Sequence, residues 1–309
     1  MKTAKAFSPS GISSFFEICD STINGSPIQD LEKVGARGGG FGIEKGTSTE
    51  VTISSAKTNH IRVFINRKEA PEVETTKLVA QMLLEKVAEA YDIIVMHKID
   101  VPIGAGFGSS AAGALTTALA LSKTLELNMT YNQLGKLAHV AEVKCKTGLG
   151  TVGPLMIGGC VLTLEPGAPG IALLDRIPIS TDHVVVAGVF GPTLTKEVLS
   201  SSEKRRQVNK YGRKTLEDIL SEPSLENFLA CCLSFAEKTG FLTPRLRGLV
   251  ELAEKAGAIG AAQNMVGEAI HAVTTTENVE NVVHAFKQAL PKEKIIVARA
   301  DIQGARLIG

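Results

Sequence analysis

The stretch Pro102-Ile103-Gly104-Ala105-Gly106-Phe107-Gly108-Ser109-Ser110, which opens directly into the Ala- and Leu-rich run Ala111–Leu127, constrains this chain more than any other. The run has strong helix propensity, and the apolar segment Ile93–Met96 ahead of the loop has the character of a strand. Three alternating glycines between a strand and a helix permit positive φ and close approach to the main chain. The first amides of such a helix lack partners and lie at the positive end of its dipole, so the loop suits a bound phosphate and nucleotide binding is expected. No Lys-Ser/Thr follows the last glycine, and the spacing is not G-x-G-x-x-G, which excludes the two commonest phosphate loops. A helix entry capped by Ser109 or Ser110, with no ligand, is the alternative.

Periodicity around this unit implies strands at Thr3–Phe7, Glu50–Ser55 and Ile61–Ile65, with a mostly antiparallel beginning. Between the first two, the five glycines of Val34–Gly42 read as a loop that carries one reactive side chain, Arg37. Helices are expected at Glu74–Ala90 and about Tyr131–Lys144, then strands at Cys160–Leu164 and Val184–Phe190 with a turn at Pro166–Gly170. A boundary near 170–180 separates this part from a mainly helical one: Ser201–Leu220, Leu225–Lys238, Pro244–Ala256 and Val279–Gln288. A strand pair, Lys294–Ala300 and Ala305–Ile308, closes the chain.

Composition narrows the ligand class. With 33 basic against 32 acidic residues, no Trp and 5% aromatics, the chain offers neither a general attraction for polyanions nor stacking platforms, so a small molecule is expected and nucleic acid is not. No apolar run approaches the roughly 20 residues that cross a bilayer, and no signal-type segment forms before Phe16. Five cysteines without C-x-x-C spacing read as reduced, mostly buried thiols. These features point to a cytoplasmic protein with no membrane partner; a homodimer is left open.

The loop with its Ser-Ser-Ala-Ala continuation resembles the Pro-x-x-x-Gly-Leu-Gly-Ser-Ser-Ala signature of the GHMP kinases, with Phe107 in place of the usual Leu. The resemblance implies an α+β, two-domain GHMP kinase fold. Its N-terminal, ribosomal-protein-S5-like α/β domain would span 1–175 and its C-terminal, ferredoxin-like α+β domain 176–309. It further implies that Pro102, Gly104, Ala105, Gly106, Gly108, Ser109, Ser110 and Ala111 wrap the phosphates of ATP and that Ser110 helps hold Mg²⁺.

In Ala138-His139-Val140-Ala141-Glu142, positions 139 and 142 share a helix face. The family carries a Mg²⁺-ligating glutamate at this point, a role that passes to Glu142 by resemblance and agrees with the oxygen preference of Mg²⁺. The residues alone also allow a solvated Glu142 beside Lys146, and His139 as a satisfied or surface histidine. Thr147–Gly159 stands where many members have Ser-Gly-x-Asp, and counting back from Gly158-Gly159 puts Thr151 at the catalytic Asp. A threonine cannot serve as a base at neutral pH. Phosphoryl transfer depends chiefly on positioning and charge neutralisation, and homoserine kinases, by resemblance, also lack the Asp.

Three further stretches, Ala6–Phe16, Gly35–Gly40 and Gly257–Glu268, narrow the resemblance to a branch of the family that phosphorylates the primary hydroxyl of (R)-pantoate to 4-phosphopantoate for coenzyme A synthesis. A small hydroxycarboxylate needs a fixed cation and hydrogen-bonding groups. Arg37 and His139 are the candidates for it, with Ser13 and Ser14 for its hydroxyls; Arg37 as a surface residue, and the serines as caps of a short helix near Phe15, are the alternatives. Competing readings are a GHMP kinase for a homoserine- or mevalonate-like acceptor, and a nucleotide-binding regulator without turnover.

Overall fold

The computed structural model describes residues 1–191 and 201–309. Two long strands organise it: β1 (Lys2–Cys19) pairs antiparallel with β2 (Gly35–Ser55) along its whole length, with bulges at Pro9/Ser10 and Ser13/Phe15. Pro9 has no N–H to give a ladder, and the bulge absorbs it.

The strand runs through Ser13, Ser14 and Phe15, so the alternative of a short helix near Phe15 does not form, and Gly35–Gly42 forms a strand rather than a loop. The physical reason lies in what the glycines face. A side chain at Gly40 would run into the Ile12 carbonyl oxygen, and one at Gly39 would stand 2.8 Å from the Phe15 ring and 2.9 Å from Phe228. Glycine is used here for close packing, and the polar–apolar alternation that marks a half-buried strand is lost.

The first sheet runs in the order β12-β1-β2-β5-β3-β4, with β6 on β2 and β7 on β6. Its further members are β3 (His60–Ile65), β4 (Lys68–Glu69), β5 (Tyr91–Ile99), β6 (Cys160–Glu165), β7 (Leu173–Ile177) and β12 (Arg306–Ile308). Four helices belong to this part: α1 (Glu74–Leu84), α2 (Ser109–Thr124), α3 (Tyr131–Cys145) and the short α4 (Val152–Ile157). Thirteen of the 16 residues of α2 are buried, which explains why it is Ala- and Leu-rich on every side: it is wedged between the sheet strands β1 and β2 and the helices α1 and α3.

A second, four-stranded antiparallel sheet, β11-β8-β10-β9, is built from β8 (His183–Gly191), β9 (Gly260–Gln263), β10 (Glu268–Thr275) and β11 (Ile295–Arg299). Helices α5 (Ser202–Ser221), α6 (Leu225–Lys238), α7 (Pro244–Lys255) and α8 (Val279–Phe286) accompany it. The two final strands do not pair with each other as expected: β11 joins β8, while β12 returns to β1 at Lys5–Phe7. Phe15 and Phe41 from the first sheet meet Phe228 of α6 at ring-centroid distances of 6.2 and 5.4 Å, and Phe16 meets Phe235 at 5.9 Å. These edge-on contacts tie the halves into one core.

Gly40→Ala is expected to lower the urea-unfolding free energy by about 3 kcal/mol or more, because the added methyl meets backbone that cannot rotate away; a loss below 0.5 kcal/mol would contradict the packing described.

Candidate active site

The glycine loop at 102–108 lies between β5 and α2, and Gly104, Gly106 and Gly108 have φ of 80°, 80° and 61°, conformations that explain the choice of glycine. Gly108 is the residue before the first helical turn of α2, and no side chain caps that turn. The capped entry left open by the sequence is therefore not what forms. Ala112 N–H donates to the Gly108 carbonyl at 3.0 Å, so the amides of Ser109, Ser110 and Ala111 ahead of it are left for a ligand. Ile103 and Gly104 are exposed, whereas Ala105 and Phe107 are buried anchors.

The loop is fixed from three directions. Gly11 N–H of β1 donates to the Phe107 carbonyl at 3.1 Å. A Cβ at Gly108 would stand 2.8 Å from the methyl of Thr151, and one at Gly11 3.2 Å from the same methyl. From the second half of the chain, the turn at Asn264–Gly267 approaches so closely that a Cβ at Gly267 would be 2.6 Å from the Ala105 carbonyl oxygen.

Glu142 of α3 faces the start of α2. The Ser110 hydroxyl donates to its Oε1 at 2.5 Å and the Thr147 hydroxyl to the same oxygen at 2.6 Å; Thr147 also lies 3.1 Å from the Thr75 hydroxyl. Oε2 faces Gly148, where any side chain would collide with it. Burial raises the Glu142 carboxyl above its usual range, opposed by the two hydroxyl hydrogen bonds. A desolvated carboxylate with hydroxyl donors only, one oxygen uncrowded and a serine lone pair beside it, fits a hard divalent cation. Among the described residues no group of three or more His, Cys, Asp or Glu forms a metal cage. The protein would thus supply one carboxylate and one hydroxyl and leave the other positions to phosphate oxygens and water, the usual mode for Mg²⁺.

The expected acceptor residues do not converge. Arg37 is held by Leu164 O at 3.1 Å and by Glu17 and Glu165, each at 3.2 Å, which engages three of its five N–H donors. His139 is buried and its Nε2 donates to Val34 O at 2.9 Å; desolvation lowers its pKa, and it fastens the 31–34 segment to α3. Ser14 is buried with its hydroxyl 3.0 Å from His271 Nε2. Ser13 is half-buried, and its carbonyl accepts from Met265 N at 2.7 Å. Thr151 does reach the loop, but it presents its methyl to Gly11 and Gly108. In this structure Arg37, His139 and Ser14 each engage groups of the chain itself. Thr147, Gly148 and Asn264 were not singled out as site residues, although the first two stand within the Ser-Gly-x-Asp position and the third within Gly257–Glu268.

A basic groove of about 720 Å³ on α5, lined by Arg205, Arg206, Lys210, Arg213 and Lys214, lies apart from the loop. Arg205 pairs with Asp20 and Lys214 with Asp218 on the surface, whereas Arg213 pairs with the buried carboxylate of Glu17, which Arg37 also contacts.

Comparison with known proteins places this geometry. The family model described as GHMP kinases N terminal domain matches residues 74–159, which include the loop and Glu142. A pantoate kinase of Thermococcus kodakarensis is 34% identical over 279 residues, 89% of this chain and 89% of that protein. The chain belongs to the pantoate kinases. Another pantoate kinase, from Methanocaldococcus jannaschii, is 29% identical over 92% of this chain and 97% of its own length. A solved structure described as a phosphotransferase related to the CoA biosynthesis pathway superposes with a TM-score of 0.88 at 31% identity, covering 99% of this chain and 98% of that one. Homoserine kinase from Cytophaga hutchinsonii, at TM-score 0.72 and 18% identity over 100% and 98%, shares the fold. The mixed α and β architecture of a GHMP kinase is thereby shown, and no described helix of this pantoate kinase family member is long and apolar enough to cross a membrane.

Glu142→Gln separates fold from metal binding. A carboxyl raised above its usual 4.5 favours the folded state below that pH, and this contribution is lost as pH rises. The variant is expected to melt at or above the wild-type temperature in metal-free buffer at pH 8 while losing Mg²⁺-dependent turnover; a lower melting temperature with normal turnover would contradict both assignments.

Proposed function

We infer that this chain transfers the γ-phosphoryl group of ATP to the primary hydroxyl of (R)-pantoate, giving 4-phosphopantoate and ADP for coenzyme A synthesis. Membership of the pantoate kinases supports the acceptor. The observation that carries the chemistry is the pairing of Ser110 with Glu142 at 2.5 Å beside uncapped helix amides.

In this reading the Gly104–Gly108 loop and the amides of Ser109, Ser110 and Ala111 receive the phosphates. Ser110, whose hydroxyl donates to Glu142 Oε1, and Glu142, through Oε2, would hold the cation. Mg²⁺, when bound, supplies neutralisation of the phosphate charge. Thr147 holds Oε1, so the carboxylate keeps one orientation. The pantoate hydroxyl oxygen forms the new bond to phosphorus as the bond to the ADP oxygen breaks, and the hydroxyl proton is released. No strong base is required of Thr151, because a loose transition state develops little charge on the attacking oxygen before it bonds. Thr151 acts instead as the apolar contact that sets the loop against β1.

The test is ADP release from Mg²⁺-ATP with (R)-pantoate, pantothenate, homoserine or mevalonate, beside a control with no acceptor. Pantoate-dependent release is expected. Turnover on a different acceptor would replace the substrate, and nucleotide binding without turnover would favour a regulator. Glu142→Ala is expected to lower kcat at least 100-fold, since loss of a charge-stabilising group in phosphoryl transfer costs about 3 kcal/mol or more.

A further inference from the structure

The turn Asn264–Gly267, which links β9 to β10 and touches the phosphate loop, is anchored by a file of buried polar groups. Asn264 N–H donates to Ala269 O at 2.9 Å, and Gln263 Nε2 braces the turn through Gly267 O at 3.2 Å. Beneath it, His271 Nδ1 lies 2.9 Å from Asn264 Oδ1, and His271 Nε2 lies 3.0 Å from the Ser14 hydroxyl. An amide oxygen can only accept, so Nδ1 carries the proton and donates; Nε2 is then an acceptor, and Ser14 donates to it. Ser14, His271 and Asn264 are each 0% exposed, and Phe41 packs edge-on to the imidazole with centroids 5.6 Å apart. Desolvation pushes the His271 pKa down to about 3, which leaves the ring neutral and the direction of donation fixed at working pH.

The far end of this file is at the nucleotide loop. A Cβ at Gly106 would stand 3.1 Å from Asn264 Cβ. Asn264 Nδ2 has no partner among the described residues, and buried donors of that kind are rare in folded proteins. The unsatisfied donor of the file therefore belongs to the residue in contact with Gly106.

We propose that Ser14, His271 and Asn264 form a positioning relay for nucleotide binding, holding the 264–267 turn, and through it Ala105 and Gly106, at the spacing that the phosphates require. The relay joins the first strand of the chain to the second sheet, so both halves set the shape of one loop. The inference rests on the reading that this loop holds the nucleotide.

Binding of a non-hydrolysable ATP analogue with Mg²⁺, followed by titration calorimetry, tests it together with kcat and KM for both substrates. Asn264→Ala is expected to weaken the analogue and raise the KM for ATP about tenfold, with the KM for pantoate within about twofold. Ser14→Ala acts through the same file and is expected to give about a threefold weakening; the double variant adds little to Asn264→Ala alone. Thr274→Val, on the same strand and equally buried, removes a hydroxyl without a partner among the described residues and leaves nucleotide affinity unchanged. Variants that melt earlier yet bind the analogue with wild-type affinity would overturn the relay and leave a purely structural role. If Asn264→Ala does not fold, Ser14→Ala decides. A wild-type protein that does not bind the analogue would overturn the phosphate-loop reading and the relay with it.

Discussion

Close backbone approach at one loop is the constraint on which the rest of this structure depends. Gly106 and Gly108 adopt φ of 80° and 61°, and a Cβ there would stand 3.1 Å from Asn264 Cβ and 2.8 Å from the Thr151 methyl, closer than an ordinary side-chain contact. The loop is thus shaped from outside, by β1, by the entry to α4 and by the turn between β9 and β10. Pinned in this way, it presents unpaired amides without paying ordering entropy when a ligand arrives. The long β1–β2 pair follows from the same need, since it carries Gly11 to the loop and Ser14 to the second sheet.

Electrostatics complete the site. Glu142 is buried and answered only by hydroxyls, an arrangement that is unfavourable for the protein alone and that a bound cation would relieve. Spending the protons of Ser110 and Thr147 on one carboxylate oxygen leaves the other free beside Gly148. Such an arrangement is suited to charge neutralisation and orientation, which is what phosphoryl transfer demands.

Much of this was legible in the sequence for identifiable reasons. Gly104, Gly106 and Gly108 take positive φ, a local backbone geometry that three glycines ahead of a helix encode directly. The helical placement of Glu142 was legible from spacing, whereas its contact with Ser110 spans 32 residues. The intramolecular partners of Arg37, His139 and Ser14 were not legible, because they lie far along the chain: Glu165 is 128 residues from Arg37, Val34 is 105 from His139, and His271 is 257 from Ser14. A polar side chain that satisfies a distant buried group has the same local appearance as one that awaits a ligand. Gly35–Gly42 was misread as a loop for the opposite reason, since its glycines answer the bulk of Phe15 and Phe228, which no local pattern reveals. Asn264 was passed over because its importance comes from the turn's contact with Gly106.

The most direct measurement is a crystal structure of the protein with Mg²⁺, a non-hydrolysable ATP analogue and pantoate. The account requires the triphosphate to lie over Gly104–Gly108, with its oxygens on the amides of Ser109–Ala111 and the metal between Ser110 and Glu142 Oε2. A triphosphate bound elsewhere, or a metal more than one water away from Glu142, would contradict it.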